Sequence, residues 1–323
     1  MRICCSIVGK AATKRLSRLF APTGAGTLCN DYNEFFKNEN ILTNMLRCPD
    51  HQVIEQGDSQ RMTGQSANAL PVARLENAAA PGPCLMVCEH ASNHIPEEFA
   101  GLGLSQADQR AHIAWDPGAL GLARELAERL RAPLVFSGIS RLVYDLNRAP
   151  DAVGAIAARS ETYDIPGNQG LDAADRQRRT SAIYLPFHAA LREEIARRLA
   201  ASLRPVIVTV HSFTPLYFGR RRDVELGVIH DADATFALAV LDAAQTQTSL
   251  NAQLNAPYSA ADDVTHTLRL QATPYGLLNV MLEIRNDLLA DARAEKAMAD
   301  TLAPVLSAAL DTVGAHAITS KAS

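Results

Sequence analysis

Aromatic residues make up only 5% of this 323-residue chain, with a single tryptophan. A core of stacked rings is therefore excluded, and the abundant Ala and Leu imply aliphatic strands covered by helices. An excess of either charge is also missing. Lys and Arg number 31 against 35 Asp and Glu, for a net charge of -4. That balance excludes global attraction to nucleic acid or to an anionic membrane, so any bound anion must meet local arginines. No apolar run approaches the roughly 20 residues that a membrane-spanning helix needs. There is no internal repeat and no heptad pattern. The six cysteines form no disulfide framework: Cys4, Cys5, Cys29 and Cys48 precede residue 51, and Cys84 and Cys88 sit in an apolar run. Reduced thiols in a cytoplasmic protein are the better reading. With no second pair to complete a metal box, Cys84 and Cys88 read as small buried hydrophobes on a strand.

The first 70 residues differ in kind from the rest. Met1 to Asn30 carries Arg2, Lys10, Lys14, Arg15 and Arg18 but no acidic residue, the composition of an organelle transit peptide. Residues 31–70 are polar without sustained periodicity. A transit peptide, a disordered extension and a start placed too early, with Met62 the true one, all fit. The last is preferred, and the segment is expected to carry no catalysis.

From Pro83 onward, apolar strand candidates alternate with amphipathic helices. Cys84–Cys88, Pro133–Ser137, Leu142–Tyr144, Pro205–Val210, Leu226–Ile229 and Leu278–Ile284 read as strands. Leu120–Leu130, Asp172–Ala200 (broken near Pro186) and Ala294–Leu310 (kinked at Pro304) read as helices. Continuous apolar strands separated by helices imply a mostly parallel sheet covered on both faces. The expectation is one α/β domain of three layers over residues 77–318.

In such sheets, functional groups collect where strands end. The run CLMVC ends in Glu89-His90, PVIVTV ends in His211-Ser212, and NVMLEIRND carries Glu283 and Arg285. Two histidines and a carboxylate from separate strands are the ingredients of a catalytic zinc site, whose fourth position holds water. A nearby free carboxylate could act as general base and acid. Glu283 lies among apolar residues, where an ionised carboxylate is costly unless paired or metal-linked; Arg285 is its alternative, purely structural partner. Arg141 and Arg148, the second beside Asn147, suit bidentate recognition of a carboxylate, although Asp145 could neutralise either. Arg220-Arg221-Arg222 reads as a solvated loop, although Arg220 or Arg222, like Arg141, could supply a second cation for a glutamate side chain. His112, His188, His230, His266 and His316 read as hydrogen-bonded residues without a role in the site.

EHASNHIP, Asp116-Pro117-Gly118-Ala119, SRLVYDLNR, HSFTP, NAPYS and LEIRND, in this order, resemble the N-formylglutamate amidohydrolase family. The resemblance runs from about Cys84 to about Leu289. It implies a fold similar to the zinc carboxypeptidases, a mixed, mostly parallel twisted sheet flanked by helices. It also implies metal ligands His90 and His211, Glu283 as general base, and a substrate site including Asn147, Arg148, Ser212 and Tyr258. The carboxypeptidase pattern has a ligand Glu three residues after the first His, whereas this chain has Asn93. The third ligand is therefore sought in Asp116, with Glu89 the alternative.

The activity so implied is zinc-dependent hydrolysis of an N-formyl or N-acyl amino acid, N-formyl-L-glutamate foremost. Arg148, Asn147 and Arg141 would grip the free carboxylate of this small substrate, and Arg141, Arg148 or Arg285 would face the oxyanion. Another divalent transition metal could replace zinc. The alternatives are an N-acyl amino-acid deacylase or a carboxypeptidase-like peptidase, and, outside enzymes, a binding protein that has lost catalysis. Nucleic-acid and membrane partners are not expected, and oligomeric state is not legible.

Overall fold

The computed structural model describes residues 71–315. The expected extension over residues 1–70, its four cysteines and His316 lie outside the described residues. Fifteen elements matter here, labelled in chain order: β1 (Ala73–Glu76), β2 (Cys84–Cys88), α1 (Ala119–Arg129), β3 (Leu134–Ser137), α2 (Ala173–Arg179), α3 (Leu185–Ala200), β4 (Val206–Phe213), β5 (Leu216–Tyr217), β6 (Arg220–Arg221), β7 (Leu226–Ile229), α4 (Thr235–Gln247), β8 (Ala252–Leu254), α5 (His266–Gln271), β9 (Asn279–Arg285) and α6 (Ala292–Thr312).

Seven strands form one sheet in the order β1-β3-β2-β4-β9-β7-β8. β3, β2, β4 and β9 run parallel to one another, while β1 pairs antiparallel with β3, and β7 antiparallel with β9. This is the expected mixed, mostly parallel α/β sheet. Alternate side chains enter two separate cores. Cys84, Met86, Val206, Val208, Val210, Val280 and Leu282 pack beneath α1, α4 and α6. Leu85, Val87, Ile207 and Met281 pack beneath α3, α5 and the loop 139–146. Both sheet faces are thus buried, which explains why these strands read as continuous apolar runs rather than alternating ones.

Some elements differ from the sequence reading. Leu142–Tyr144 is not a strand but a buried turn. Its backbone is satisfied locally: Val143 N–H donates to Ser140 O, and Asn168 and Arg179 donate to Leu142 O and Val143 O. Polar side chains there replace the ladder that an apolar triplet suggested. α2 and α3 are joined by a π-helical stretch, Thr180–Tyr184, so the interruption falls just before Pro186. α6 runs through Pro304 as one element. β1 stands upstream of residue 77 and extends the folded unit by an edge strand. No helix among the described residues is long and apolar enough to cross a membrane.

One glycine fixes how tightly β7 closes on the neighbouring strand. Gly227 stands opposite Glu283 in the ladder. A Cβ at Gly227 would lie 2.2 Å from the Ala256 carbonyl oxygen and 3.1 Å from the Glu283 Cβ. The first of these neighbours is backbone and cannot rotate away. Gly227→Ala is expected to cost about 3 kcal/mol, the upper end for overpacking, read as a lower midpoint in urea unfolding; an unchanged midpoint would show that the Ala256 loop yields.

Candidate active site

Strand parity brings the chemistry together. Glu89 continues the alternation of Leu85 and Val87, His211 that of Ile207 and Thr209, and Glu283 that of Met281. All three therefore belong to one face of the sheet, on three strands that are neighbours in it. His211 and Glu283 are direct partners in the parallel ladder between β4 and β9. His90 follows β2, and the turn Asp116-Pro117-Gly118 is tied to it, because the Asp116 N–H donates to His90 O at 2.9 Å. Gly118 caps α1 with φ +79, where a side chain would be strained and would meet Leu289.

The result is a small triangle of ligand-type atoms. His90 Nδ1 and His211 Nδ1 are 3.2 Å apart, and Asp116 Oδ2 lies 3.2 Å from the first and 2.9 Å from the second. All three residues are buried. Tetrahedral zinc with bonds of about 2.0–2.1 Å separates its ligand atoms by about 3.3 Å, so the triangle has the right edge. The far side of each ring faces a carboxylate. His90 Nε2 meets Asp145 Oδ1 at 2.7 Å, and His211 Nε2 faces Glu89 Oε2 at 3.2 Å, a charge contact rather than an aligned hydrogen bond. Protons on both Nε2 atoms leave two Nδ1 lone pairs and a carboxylate oxygen converging on one point, which a cation would neutralise; without one, a proton on His211 Nδ1 would bridge to Asp116 Oδ2. Protons on both Nδ1 atoms would instead crowd the 3.2 Å gap.

Charge gives the same answer. Glu89, Asp116, Asp145 and Glu283 are four buried carboxylates, and Arg141 is the one guanidinium that ion-pairs with any of them among the described residues. Burial alone would raise Asp116, but His90 and His211 hold it well below the usual carboxylate range. Burial would lower His211, but Glu89 and Asp116 push it well up; His90 is raised by Asp145 and Asp116 against burial and Arg141. Glu283 behaves oppositely. Burial pushes its carboxyl up to about 7, and its Oε2 has no hydrogen-bond partner. An excess of buried negative charge beside two imidazoles is the surrounding that a divalent cation neutralises.

A cavity of about 300 Å³ opens onto this group, the size of a small ligand. Its wall contains ten residues singled out from the sequence or beside them in its motifs: His90, Asp116, Arg141, Asp145, Asn147, Arg148, His211, Ser212, Tyr258 and Glu283. Their engagements differ. The Arg148 side chain donates one hydrogen bond, to the backbone oxygen of Asp262 at 2.6 Å, and forms no ion pair among the described residues. Arg141 is committed to Asp145 Oδ2 at 2.6 Å and Asp116 Oδ1 at 3.3 Å. The Asn147 amide is engaged by the loop after Tyr258: its Nδ2 donates to Val264 O, and its Oδ1 accepts from Thr267 N–H. The Ser212 hydroxyl donates to Pro117 O.

Two residues fall outside the triangle or the wall. Glu89 lies behind His211, on the side away from Nδ1, so the geometry favours Asp116 over Glu89 as the third ligand-type group. Arg285 does not line the cavity. It bonds Asp287, Glu225 and the backbone oxygens of Arg222 and Asp223, and it forms no pair with Glu283. The histidines given no site role are hydrogen-bonded elsewhere: His112 to Glu161, His188 to Leu146 O, His230 to Asp231 O and His266 to Tyr184.

Sequence reasoning missed two cavity residues and the partners of two others. Tyr217 and Val264 line the cavity, and neither has a signal in the sequence. Asp145 had one: it sits between the two arginines of SRLVYDLNR, but its partnership with His90 joins residues 55 positions apart. Arg222, read as part of a solvated run, has its guanidinium against the rings of Tyr217, Tyr258 and Phe213.

Among solved structures, gene product Atu2144 from Agrobacterium tumefaciens is 51% identical over 76% of this chain and 96% of its own, with a TM-score of 0.74. N-formylglutamate amidohydrolase from Ralstonia eutropha JMP134 aligns over 76% of this chain and 99% of its own at 17% identity and a TM-score of 0.55, a likeness of fold. No curated protein matches. The model of the N-formylglutamate amidohydrolase family matches residues 82–290, a span holding the His90–His211–Asp116 triangle, the carboxylates around it and the cavity wall. By that match the chain belongs to the N-formylglutamate amidohydrolase family and is an enzyme that acts on an amide bond.

Proposed function

We propose that the protein is a metal-dependent hydrolase of N-formyl or N-acyl amino acids, with N-formyl-L-glutamate its foremost substrate. The observation that carries this reading is the triangle of His90 Nδ1, His211 Nδ1 and Asp116 Oδ2, with edges of 2.9–3.2 Å beside an unpaired carboxylate. These three residues would hold the metal, zinc being the best match to two imidazoles and one carboxylate. When bound, such an ion lowers the pKa of water to about 7 and polarises a carbonyl.

The remaining work belongs to side chains. Glu283 takes a proton from the attacking water and returns it to the leaving nitrogen as the C–N bond breaks. Arg148, which forms no ion pair among the described residues, receives the carboxylate of the amino-acid part in a two-point contact. Arg141 holds Asp116 and Asp145 in place, and its cavity-facing edge supplies positive potential where the oxyanion develops. Asn147 fixes Val264 and the first turn of α5, beside the Asp262 carbonyl that steadies Arg148, and is a positioning residue. Ser212 helps seat the turn after Asp116 through Pro117. The catalytic unit is assigned to residues 77–318 together with β1, residues 1–70 are left without a catalytic part, and the protein is placed in the cytoplasm.

A second reading rests on the same wall. Arg148 is the one lining guanidinium without a carboxylate partner among the described residues, and one carboxylate suffices for an N-acyl amino acid with a neutral side chain. The test is release of formate from N-formyl-L-glutamate and N-formyl-L-leucine, and of acetate from N-acetyl-L-glutamate, before and after chelation. Release that falls to background with chelator and returns with zinc is expected, with about one ion per chain by elemental analysis. Preference for the leucine compound would establish the second reading, and release unaffected by chelation would remove the metal from the reaction.

A further inference from the structure

The cavity wall leaves one arrangement unexplained. Arg222 follows the β5–β6 hairpin and bonds back to its base, Arg222 N–H to Pro215 O at 2.8 Å. Its guanidinium stands 4.2 Å from the centre of the Tyr217 ring, 4.8 Å from that of Tyr258 and 5.5 Å from that of Phe213. Arg222 has no carboxylate partner among the described residues; its side chain has one hydrogen bond, Nη1 to the Tyr258 hydroxyl oxygen at 2.9 Å. Tyr217 and Tyr258 both line the cavity, whereas Arg222, packed on their rings, does not. The hairpin and the NAPYS loop are thereby joined beside the cavity.

The direction of that hydrogen bond decides what the tyrosine can do. Arg carries donors only, so the Tyr258 oxygen must accept. The phenol proton is then free to donate elsewhere, and the Tyr258 hydroxyl has no second partner among the described residues. Burial pushes its pKa up to about 12, so the proton is retained at neutral pH. A guanidinium on the oxygen also polarises the O–H bond and strengthens it as a donor. Resting on the reading that the cavity takes a carboxylate-bearing amide, we infer that Arg222 is a positioning residue: it fixes the Tyr258 hydroxyl as a donor to the substrate in the cavity that Arg148 also lines.

A mere staple between loops would act on stability; a fixed donor acts on substrate affinity. Arg222→Met and Tyr258→Phe are each expected to raise KM about tenfold with kcat little changed, the size of one hydrogen bond to a charged group. The double variant should be no worse than either alone, since both remove the same bond, and Arg222→Lys should restore part of the loss. The Tyr258 Cζ resonance in protein labelled with carbon-13 at tyrosine, assigned by its loss in Tyr258→Phe, reports the bond without turnover. It should move in Arg222→Met, and in the wild type it should move again when N-formyl-L-glutamate is added.

Additive losses in the double variant, or a resonance indifferent to both Arg222→Met and the ligand, would overturn the inference. A wild type that hydrolyses none of the tested amides would sink the reaction assigned above; the resonance would still decide whether the phenol bonds Arg222 and the added carboxylate.

Discussion

Replacing Glu283 with Gln is expected to lower kcat for amide cleavage by about 10²–10⁴-fold, the range for a positioned general base, with fold and metal content retained. The substitution keeps shape and volume, so the packing of β9 between β4 and β7 is undisturbed. It removes no ion pair, because Glu283 has none among the described residues and its Oε2 is without a hydrogen-bond partner. Burial that pushes the carboxyl up to about 7 means that the charged form is held at a cost, so a neutral amide there should leave the melting temperature equal or higher. His90, His211 and Asp116 are untouched, so about one ion per chain should remain. Single-turnover formate release, a thermal melt and elemental analysis together make the test. Full activity in the variant would end the general-base assignment. Loss of the ion would move Glu283 into the ligand set.

Much of this site was legible because strand ends declare themselves. CLMVC and PVIVTV are continuous apolar runs that stop at Glu89-His90 and His211-Ser212, and a buried parallel strand has little other reason to end in imidazole. The sheet and its helices followed from the same runs, since strands buried on both faces do not alternate. Pairing information was absent from sequence. The contacts that orient the two rings, Asp145 on His90 and Glu89 on His211, span 55 and 122 positions. Glu89 was the second candidate ligand because adjacent residues at a strand end point to opposite faces; on the folded sheet it shares a face with His211 and stands behind it. Arg285 misled for a related reason. Two residues from Glu283 suggests an ion pair, but the β7 approach offers Glu225, and Asp287 follows in the next turn. Arg222 could not be told from Arg220 and Arg221, which are exposed; only the fold brings three rings around it.

His211→Ala tests the metal directly and should have the largest effect on binding. His211 Nδ1 is 3.2 Å from His90 Nδ1 and 2.9 Å from Asp116 Oδ2, so it supplies one corner of the triangle and touches both others. Outer-shell substitutions cost tenfold to 100-fold in metal affinity; removal of a ligand should exceed that, at least about 100-fold in competition with a chromophoric chelator. Glu89→Gln provides the comparison. It leaves all three ligand-type atoms in place and weakens only the contact behind His211, so a loss within the outer-shell range is expected. The order of the two losses separates a ligand from its support, which activity alone would not. Misfolding is a real alternative for His211→Ala, because Glu89 and Asp116 lose their shared partner and breaking a buried pair costs about 3–5 kcal/mol. A circular dichroism melt therefore accompanies the titration, and His211→Asn, which fills more of the space, serves as the second variant. Should folded His211→Ala or His211→Asn bind zinc as tightly as the wild type, the converging Nδ1 atoms would be a hydrogen-bonded cluster, and the triangle would no longer support a metal-dependent reaction.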